Sequence, residues 1–222
     1  GHIYVLGQSV EIYTPDGSRR IKTISTPNGY ADHLALDASG NFYCRKNSEY
    51  NIEKYTMTGV YQQDFGHKAY SEPGQFNWAK DIAVNSTGYS YVSDSQNHRI
   101  QIFNPSGQYV SEFGTYGSGV GELDYPQGLD INTTGHVYVT DRYNEKVIVF
   151  DQMGNFVTEF GSSGNLDGEF DYPKDVAVND SGYAYVIDEN TDRVQTFYPN
   201  GTFSHKWSVP GTSNQLTSLD VN

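Results

Sequence analysis

Hydrophobic and polar residues alternate along this chain in short runs that are separated by polar turns. Residues 81–113, for example, contain the runs DIAVN, YSYVS, RIQIF and QYVSEF. Alternation of this kind, with many Val, Ile, Tyr and Phe residues, is typical of β-strands. The turns carry Asn, Asp, Ser and Gly, which suit tight turns and positive φ angles. No segment keeps an apolar period of 3.6 residues, so the pattern predicts an all-β protein.

The same succession of four runs recurs along the chain. Segments of similar sequence begin at Gly88, Gly135 and Gly182, a weaker copy begins at Gly40, and a shortened copy begins at Gly1. The starting glycines lie 39, 48, 47 and 47 residues apart. A repeat of this length, built from short strands, predicts a β-propeller of four-stranded antiparallel blades.

The number of repeats predicts the number of blades. Inner strands are expected at five places, and second strands also occur five times; the inner strands begin at Leu34, Ile82, Leu129, Val176 and Leu219. The chain begins with a second strand and ends with an inner strand, so Leu219–Val221 is expected to pair with Ile3–Val5 and close the first blade. We therefore predict a single domain over residues 1–222 with five blades, or six if the chain is a fragment.

Composition narrows the classes of partner. The net charge is −13 and only 14 residues are Lys or Arg, which disfavours nucleic acid because backbone affinity depends on cations that neutralise phosphates. No apolar run approaches 18 residues, so no membrane span is predicted in this segment. The single cysteine, Cys44, falls in a strand and is interpreted as a small buried hydrophobic residue.

One motif supports a more specific assignment. From Phe65 to Phe203 the repeats read FG, a Gly-rich stretch, F-x-YP, then AVN, YV-x-D-x-x-N-x-R and Q-x-F, with small variations. This pattern resembles the NHL repeat. The resemblance implies a propeller that usually has six blades and that binds partners on the face of its long connectors. It also implies an alternative, because lactonases, lyases of the streptogramin type and an NHL-like hydroxyglycine lyase resemble this fold and use clustered His, Glu or Arg, often with a metal.

Charged residues recur at fixed places in the repeat. Aspartates follow the second strand and cations open the third, five residues later: Asp94 and Arg99, Asp141 and Lys146, Asp188 and Arg193. The two charges of each pair are expected to meet across a tight turn. We interpret them as exposed clamps within each blade rather than as ligand sites, and each would stabilise by less than about 1 kcal/mol unless it is partly buried.

Strand parity places the turns after strands two and four on one face, with the Gly-rich connectors. The residues that enter the inner strands should point toward the channel mouth there; those considered as a ligand or metal site are His33, Asp81, Asp175 and Ser218, with Gly128 at the fifth position. A His with two Asp could hold a divalent cation. The competing interpretation, which we favour, is that these residues are hydrated or cap backbone N–H groups, with no cofactor.

Aromatic residues stand near the ends of the same connectors: Tyr30, Trp78, Tyr125 and Tyr172. Aromatic side chains provide large contact areas at little entropic cost and dominate binding surfaces. We therefore predict that this face is the partner surface.

The opposite face carries four Asn-x-Ser/Thr triplets, at Asn85, Asn132, Asn179 and Asn200. They predict either N-glycosylation of an exported protein or hairpin turns that require these residue types. With the first interpretation, the sequence favours a non-catalytic extracellular or cell-surface binding or assembly module with a protein or glycan partner. The alternatives are a propeller enzyme with a metal at the channel mouth and an intracellular NHL module that binds RNA or protein.

Overall fold

The computed structural model describes residues 3–5, 9–14, 16–25, 31–46, 51–68, 71–208 and 216–221. Nearly all regular structure in these residues is β-strand, apart from one turn of 3-10 helix at Ser95–Asn97. None of the helical structure in these ranges is long and apolar enough to cross a membrane. The all-β prediction is confirmed.

Five sheets follow one another along the chain, and consecutive strands pair in order within each. We call them blades 1 to 5. Blade 1 consists of β1 (Ile3–Val5), β2 (Ser9–Tyr13) and β3 (Arg20–Ser25). Blade 2 consists of β4 (Ala31–Leu36), β5 (Phe42–Lys46), β6 (Ile52–Tyr55) and β7 (Tyr61–Phe65). Blade 3 consists of β8 (Ala79–Val84), β9 (Ser90–Asp94), β10 (Arg99–Phe103) and β11 (Tyr109–Phe113).

Blades 4 and 5 have the same order of strands. Blade 4 consists of β12 (Pro126–Ile131), β13 (Val137–Asp141), β14 (Lys146–Phe150) and β15 (Phe156–Phe160). Blade 5 consists of β16 (Pro173–Val178), β17 (Ala184–Asp188), β18 (Arg193–Phe197) and β19 (Phe203–Ser208). Both are antiparallel meanders. The predicted β-propeller of five blades is thereby confirmed, and blades 2 to 5 are the expected four-stranded antiparallel sheets.

The predicted closing strand is not seen in the described residues. Blade 1 has three strands there, and residues 216–221 have no strand assignment. The backbone N–H of Leu219 instead donates to Asp175 Oδ2 at 2.6 Å. Pairing of Leu219–Val221 with Ile3–Val5 therefore stays a prediction.

The chain divides into two compact units, which we describe separately. Unit 1 comprises Gly1–Val92 and Gln101–Ser111, and unit 2 comprises Ser93–Ile100 and Glu112–Asn222. Blades 1 and 2 belong to unit 1, and blades 4 and 5 belong to unit 2. The prediction of a single domain over residues 1–222 stays a prediction.

Aromatic residues fill the core of unit 2. The ring of Phe197 lies 4.7 Å from that of Phe160 and 5.4 Å from that of Phe170. Phe170 belongs to the connector before blade 5 and is fully buried. Burial of this connector residue holds the loop against the sheets, because removing apolar area from water is the largest favourable contribution to packing.

Unit 1 uses the same arrangement. Phe103 packs against Phe65 at 4.8 Å and against Phe76, a connector residue, at 5.5 Å. Cys44 is buried in a neighbouring apolar cluster, as the sequence predicts. The connectors before blades 3 and 5 are therefore each held by a buried aromatic residue.

Candidate functional site

The turns after the second and fourth strands of a blade lie at one end of its sheet, which we call the connector end. Six non-glycine residues of the described chain have positive φ, and all of them lie at connector ends. Three enter inner strands and three close the turn after the second strand; they are Trp78 (72°), Tyr125 (64°), Tyr172 (61°), His98 (54°), Glu145 (54°) and Asp192 (49°). Such backbone costs free energy for residues with a Cβ, and it persists only where the surroundings enforce it.

A buried carboxylate enforces this conformation at Tyr125. The N–H of the preceding residue, Asp124, lies 3.1 Å from both carboxylate oxygens of Asp141. The N–H of Tyr143 donates to the carbonyl of Asp124 at 3.2 Å, and the N–H of Arg142 donates to the carbonyl of Tyr125 at 3.4 Å. The left-handed residue is therefore held by hydrogen bonds on both sides.

Blade 5 repeats these bonds around Tyr172. The N–H of Asp171 donates to Asp188 Oδ1 at 2.8 Å. The N–H groups of Glu189 and Asn190 donate at 3.2 Å to the carbonyls of Tyr172 and Asp171. Equivalent hydrogen bonds therefore hold Tyr125 and Tyr172 in the left-handed conformation.

These findings correct the interpretation of the repeated charge pairs as exposed clamps. The side chains of Asp94 and Asp188 are fully buried, and each accepts a hydrogen bond from the Nε of its arginine, Arg99 at 2.9 Å and Arg193 at 2.8 Å. The third pair does not form in the same way, because Lys146 Nζ lies 2.8 Å from Glu159. The sequence alone did not reveal this burial, because it does not show that Asp141 and Asp188 also accept hydrogen bonds from backbone N–H groups of the connectors.

Burial changes the titration of two of these aspartates. It raises the pKa of Asp141 to about 6, although hydrogen bonds from Asn144 and from the Asp124 N–H offset part of the effect. Burial also raises the pKa of Asp188, against hydrogen bonds from Thr191, the Asp171 N–H and Arg193. A carboxylate removed from water favours its neutral form unless enough donors compensate for the lost hydration.

A stripe of three tyrosines lies at the connector ends of blades 4 and 5. The ring of Tyr143 is 5.3 Å from that of Tyr125 and 5.9 Å from that of Tyr172. Tyr143 is 52 % exposed. We call Tyr125, Tyr143 and Tyr172 the tyrosine stripe. The ring of Tyr143 contacts both of the others, and tyrosine rings are amphipathic, which suits a binding surface.

An ion cluster fixes one side of the stripe. The guanidinium of Arg142 lies 4.6 Å from the ring centroid of Tyr172. Glu189 accepts from Arg142 at 2.6 Å and from Lys174 at 2.7 Å. Burial alone would raise the pKa of Glu189, but the hydrogen bonds from Lys174 and Arg142 outweigh it and lower the pKa. The carboxylate therefore stays ionised between its two cations.

Of the predicted partner-surface aromatics, Trp78 belongs to unit 1, where it is 38 % exposed and has Lys80 Nζ 4.8 Å from its ring centroid. Tyr125 and Tyr172 belong to the tyrosine stripe, and Tyr30 lies outside the described residues. Tyr143, Arg142 and Glu189 are not among the residues predicted from the sequence. A signal was available, because the two positions after the repeated aspartate differ between blades while their neighbours recur.

The predicted channel-mouth residues make contacts within each unit. In unit 1, His33 Nδ1 lies 2.9 Å from Asp81 Oδ1. In unit 2, a Cβ built on Gly128 would lie 2.3 Å from Asp175 Oδ1 and 2.5 Å from Asp175 Cα, so glycine is required there by the close approach of β12 and β16. Ser218 is exposed. In both units the predicted channel-mouth position therefore lies between neighbouring inner strands, where it contacts a side chain or the backbone of the next strand.

These contacts also bear on the metal alternative. Asp175 Oδ2 accepts from a backbone N–H, and Asp81 Oδ1 accepts from the N–H of Ile82 at 2.7 Å. Within the ranges that the structure describes, no group of three His, Cys, Asp or Glu side chains could hold a metal ion. Both aspartates thus accept from backbone N–H groups, Asp81 in addition to its contact with His33, and the choice between a ligand site and capping stays a prediction.

The four triplets lie in tight turns whose geometry explains the asparagine. Asn85 Oδ1 accepts from the N–H groups of Thr87 and Tyr89, both at 3.0 Å. Asp37, the equivalent residue of blade 2, accepts from two N–H groups at 2.9 Å in the same way without forming a triplet. The oxygens of the other three asparagines have the same role: Asn132, Asn179 and Asn200. Turn formation accounts for these residues, and glycosylation stays a prediction.

Comparison with known proteins agrees with the repeat pattern. The NHL repeat model matches residues 76–103, and a family described as a 6-bladed beta-propeller matches residues 132–216. The chain is 42 % identical over 60 residues to the RING finger protein nhl-1 of Caenorhabditis elegans, a match to 27 % of this chain and 6 % of that protein. It is 40 % identical over 58 residues to the protein brain tumor of Drosophila melanogaster, covering 26 % and 6 %. The chain thus spans only a small part of these curated relatives.

Solved structures show the same architecture at low identity. A streptogramin B lyase structure matches with a TM-score of 0.74 and 14 % identity, over 99 % of this chain and 70 % of that chain. A chain of a nidogen/laminin complex matches with a TM-score of 0.69 and 18 % identity, over 90 % and 74 %. At these identities the likeness concerns the fold alone. The repeat pattern, the five sheets and the match of residues 76–103 together show that the chain carries NHL repeats and folds as a β-propeller.

Proposed function

We propose that this chain is a non-catalytic binding or assembly module that contacts its partner with the connector ends of blades 4 and 5. One observation carries the proposal. The backbone at Tyr125 and Tyr172 is held in a costly conformation by buried carboxylates, and the central residue of the resulting tyrosine stripe, Tyr143, is 52 % exposed. Strain that recurs at one end of two blades is characteristic of a functional surface.

Photo-crosslinking tests this proposal. A photoreactive phenylalanine analogue replaces Tyr143 in one variant and Tyr198 in another. Tyr198 is a matched control, since it is 43 % exposed, packs on Tyr183 at 5.4 Å and follows β18 at the end opposite to the connectors. We expect adducts with a native partner from position 143 and not from position 198. Adducts of equal yield from both positions, or from position 198 alone, would contradict the proposal.

The alternative, an enzyme with a metal at the channel mouth, is favoured by one observation, the contact of His33 Nδ1 with Asp81 at 2.9 Å. Metal analysis of the purified protein and of a His33→Ala variant tests it. A stoichiometric metal that is lost with His33 would support the enzyme. An unchanged metal content in the variant would contradict it.

The proposed location is extracellular or at the cell surface, and it depends on occupied glycosylation triplets. The mass of the native protein tests this part. Excess mass that is removed by a glycosidase and by replacing the four asparagines would support it. An unmodified mass would leave the triplets as turn residues only and would remove the main support for an exported protein.

A further inference from the structure

The charges around the tyrosine stripe indicate which kind of partner it suits. Two cations lie beside the stripe, and both are already paired with Glu189, at 2.6 Å for Arg142 and 2.7 Å for Lys174. A cation held by a carboxylate at hydrogen-bond distance has little attraction left for a second anion. The two basic residues therefore stabilise the surface and do not make it a phosphate site.

Three carboxylates lie within two residues of the stripe tyrosines in the sequence, and none of them has a Lys or Arg counterion in the described chain. Asp124 and Asp171 immediately precede Tyr125 and Tyr172, and Glu145 lies two residues after Tyr143. Asp124 Oδ1 lies 3.3 Å from His98 Nδ1, and that nitrogen also accepts the Tyr125 N–H at 3.1 Å. Asp171 Oδ1 accepts from Asn190 Nδ2 at 2.9 Å. The surface around the rings is thus negative.

Aromatic faces reinforce this preference. The negative face of an aromatic ring attracts a cation within about 6 Å of its centroid, and guanidinium groups use this most often. Tyr172 already receives Arg142 in this way at 4.6 Å. Tyr143 is 52 % exposed, so part of its side chain is open to a partner's cation.

We propose that the tyrosine stripe, with Asp124, Glu145 and Asp171 at its edges, docks a segment of a partner protein that carries an arginine or lysine next to apolar side chains. The cation would lie between the exposed tyrosine ring and the flanking carboxylates, and the apolar neighbours would cover the rest of the stripe. This inference rests on the proposed function and specifies the partner. A nucleic acid would place phosphates against the same three carboxylates, which is unfavourable.

Selection from a library of random 12-residue peptides tests the inference with the whole chain as bait. Recovered peptides are synthesised with a fluorophore, and their affinities are measured by polarisation. We expect peptides with a net positive charge that bind Tyr143→Ala at least about 10-fold more weakly than the natural protein, as for a central aromatic contact. Binding to the matched Tyr198→Ala variant should be unchanged. Unchanged thermal melting of both variants shows that they fold.

Charge is tested separately. Glu145→Gln removes one flanking carboxylate with little change in size, and we expect affinity for a cationic peptide to fall about 2- to 5-fold, the range of an exposed ion pair. Raising the salt concentration should narrow this difference.

The outcomes separate the two proposals. Peptides that are neutral or acidic although their binding depends on Tyr143 would overturn the inference and leave the binding surface in place. The same holds for peptides whose affinity is unchanged by Glu145→Gln. Tyr143-dependent binding of a labelled single-stranded RNA would also overturn it. A selection that yields no peptide dependent on Tyr143 would count against this surface as well as against the cationic partner.

Discussion

Blades 4 and 5 have the same strands and the same buried aspartate, but they differ in what surrounds that aspartate. In blade 5, Asp188 is bound by Arg193, whereas in blade 4 the cation is Lys146, which reaches Glu159 and leaves Asp141 to backbone and amide donors. The turns differ as well, since blade 4 places Arg142 and Tyr143 where blade 5 has Glu189 and Asn190. The scaffold recurs while the turn residues diverge.

The difference between the two turns produces the ion cluster beside the tyrosine stripe. Arg142 of blade 4 binds Glu189 of blade 5 and lies over Tyr172, which neither turn could achieve with its own residues alone. Identical turns would place like charges beside each other and would repel. A repeat protein gains a specific surface from small differences at equivalent positions, on a frame that stays constant.

The largest expected effect comes from breaking the clamp of blade 5. Arg193 also donates to the carbonyls of Asn165 at 2.7 Å and Glu169 at 2.8 Å, so Arg193→Lys removes bonds to a buried carboxylate and to the connector. We expect a loss of about 3 kcal/mol in the free energy of unfolding, the cost of breaking a buried pair. Urea unfolding measures it.

Arg20→Lys is the control for this variant. Arg20 lies 2.9 Å from Glu11 in an exposed pair, and the same substitution should cost less than about 1 kcal/mol there. Equal losses in the free energy of unfolding for the two substitutions would show that the buried pair of Asp188 and Arg193 contributes no more to stability than an exposed pair.

Strand pattern, repeat length and turn chemistry are local properties, so the sequence predicted the sheets, the blade count and the end at which Tyr125 and Tyr172 lie. The burial of Asp94 and Asp188, the backbone conformation of Tyr125 and the partner of Lys146 depend on contacts between segments far apart in the chain. Alternation cannot report these contacts. The sequence therefore predicted two of the three residues of the tyrosine stripe but not the central one, Tyr143.

A smaller effect is expected from the titration of Asp141. Its pKa is raised from an ordinary 3.8 to about 6, so the folded state binds a proton more tightly than the unfolded state. Protonation therefore favours folding as the pH falls from about 7 to about 4. We expect the natural protein to gain about 2 kcal/mol over this interval relative to Asp141→Asn, which cannot titrate.

Urea unfolding of both proteins at several pH values measures this difference. Comparing the two proteins cancels the pH dependence that their other titratable groups contribute equally. Asp151→Asn is the control, since Asp151 is a turn carboxylate whose pKa is lowered by hydrogen bonds, first from the side chain of Asn155. Relative to Asp151→Asn, the natural protein should lose stability as the pH falls, which is the opposite of the change expected for Asp141. A constant difference between the natural protein and Asp141→Asn would show that Asp141 is not destabilised by burial.

The smallest effect tests whether one residue explains the contrast between the blades. In blade 3, Arg99 donates its Nε to Asp94 at 2.9 Å and its NH1 to Glu112 at 2.8 Å, and Glu112 is the equivalent of Glu159. Lys146→Arg supplies the same fork in blade 4, so it can keep the bond to Glu159 and add one to Asp141. A lowered pKa of Asp141 by about one unit would correspond to a gain of about 1 kcal/mol near pH 7.

Two measurements distinguish this clamp from a general benefit of arginine. The pH dependence assigned to Asp141 should become flatter in Lys146→Arg, and the gain in the free energy of unfolding should disappear when the substitution is made in the Asp141→Asn background. A gain of the same size in both backgrounds would mean that the arginine acts elsewhere. The difference between blades 4 and 5 would then have its origin in the turn residues, since the cation would have no measurable contact with the buried aspartate.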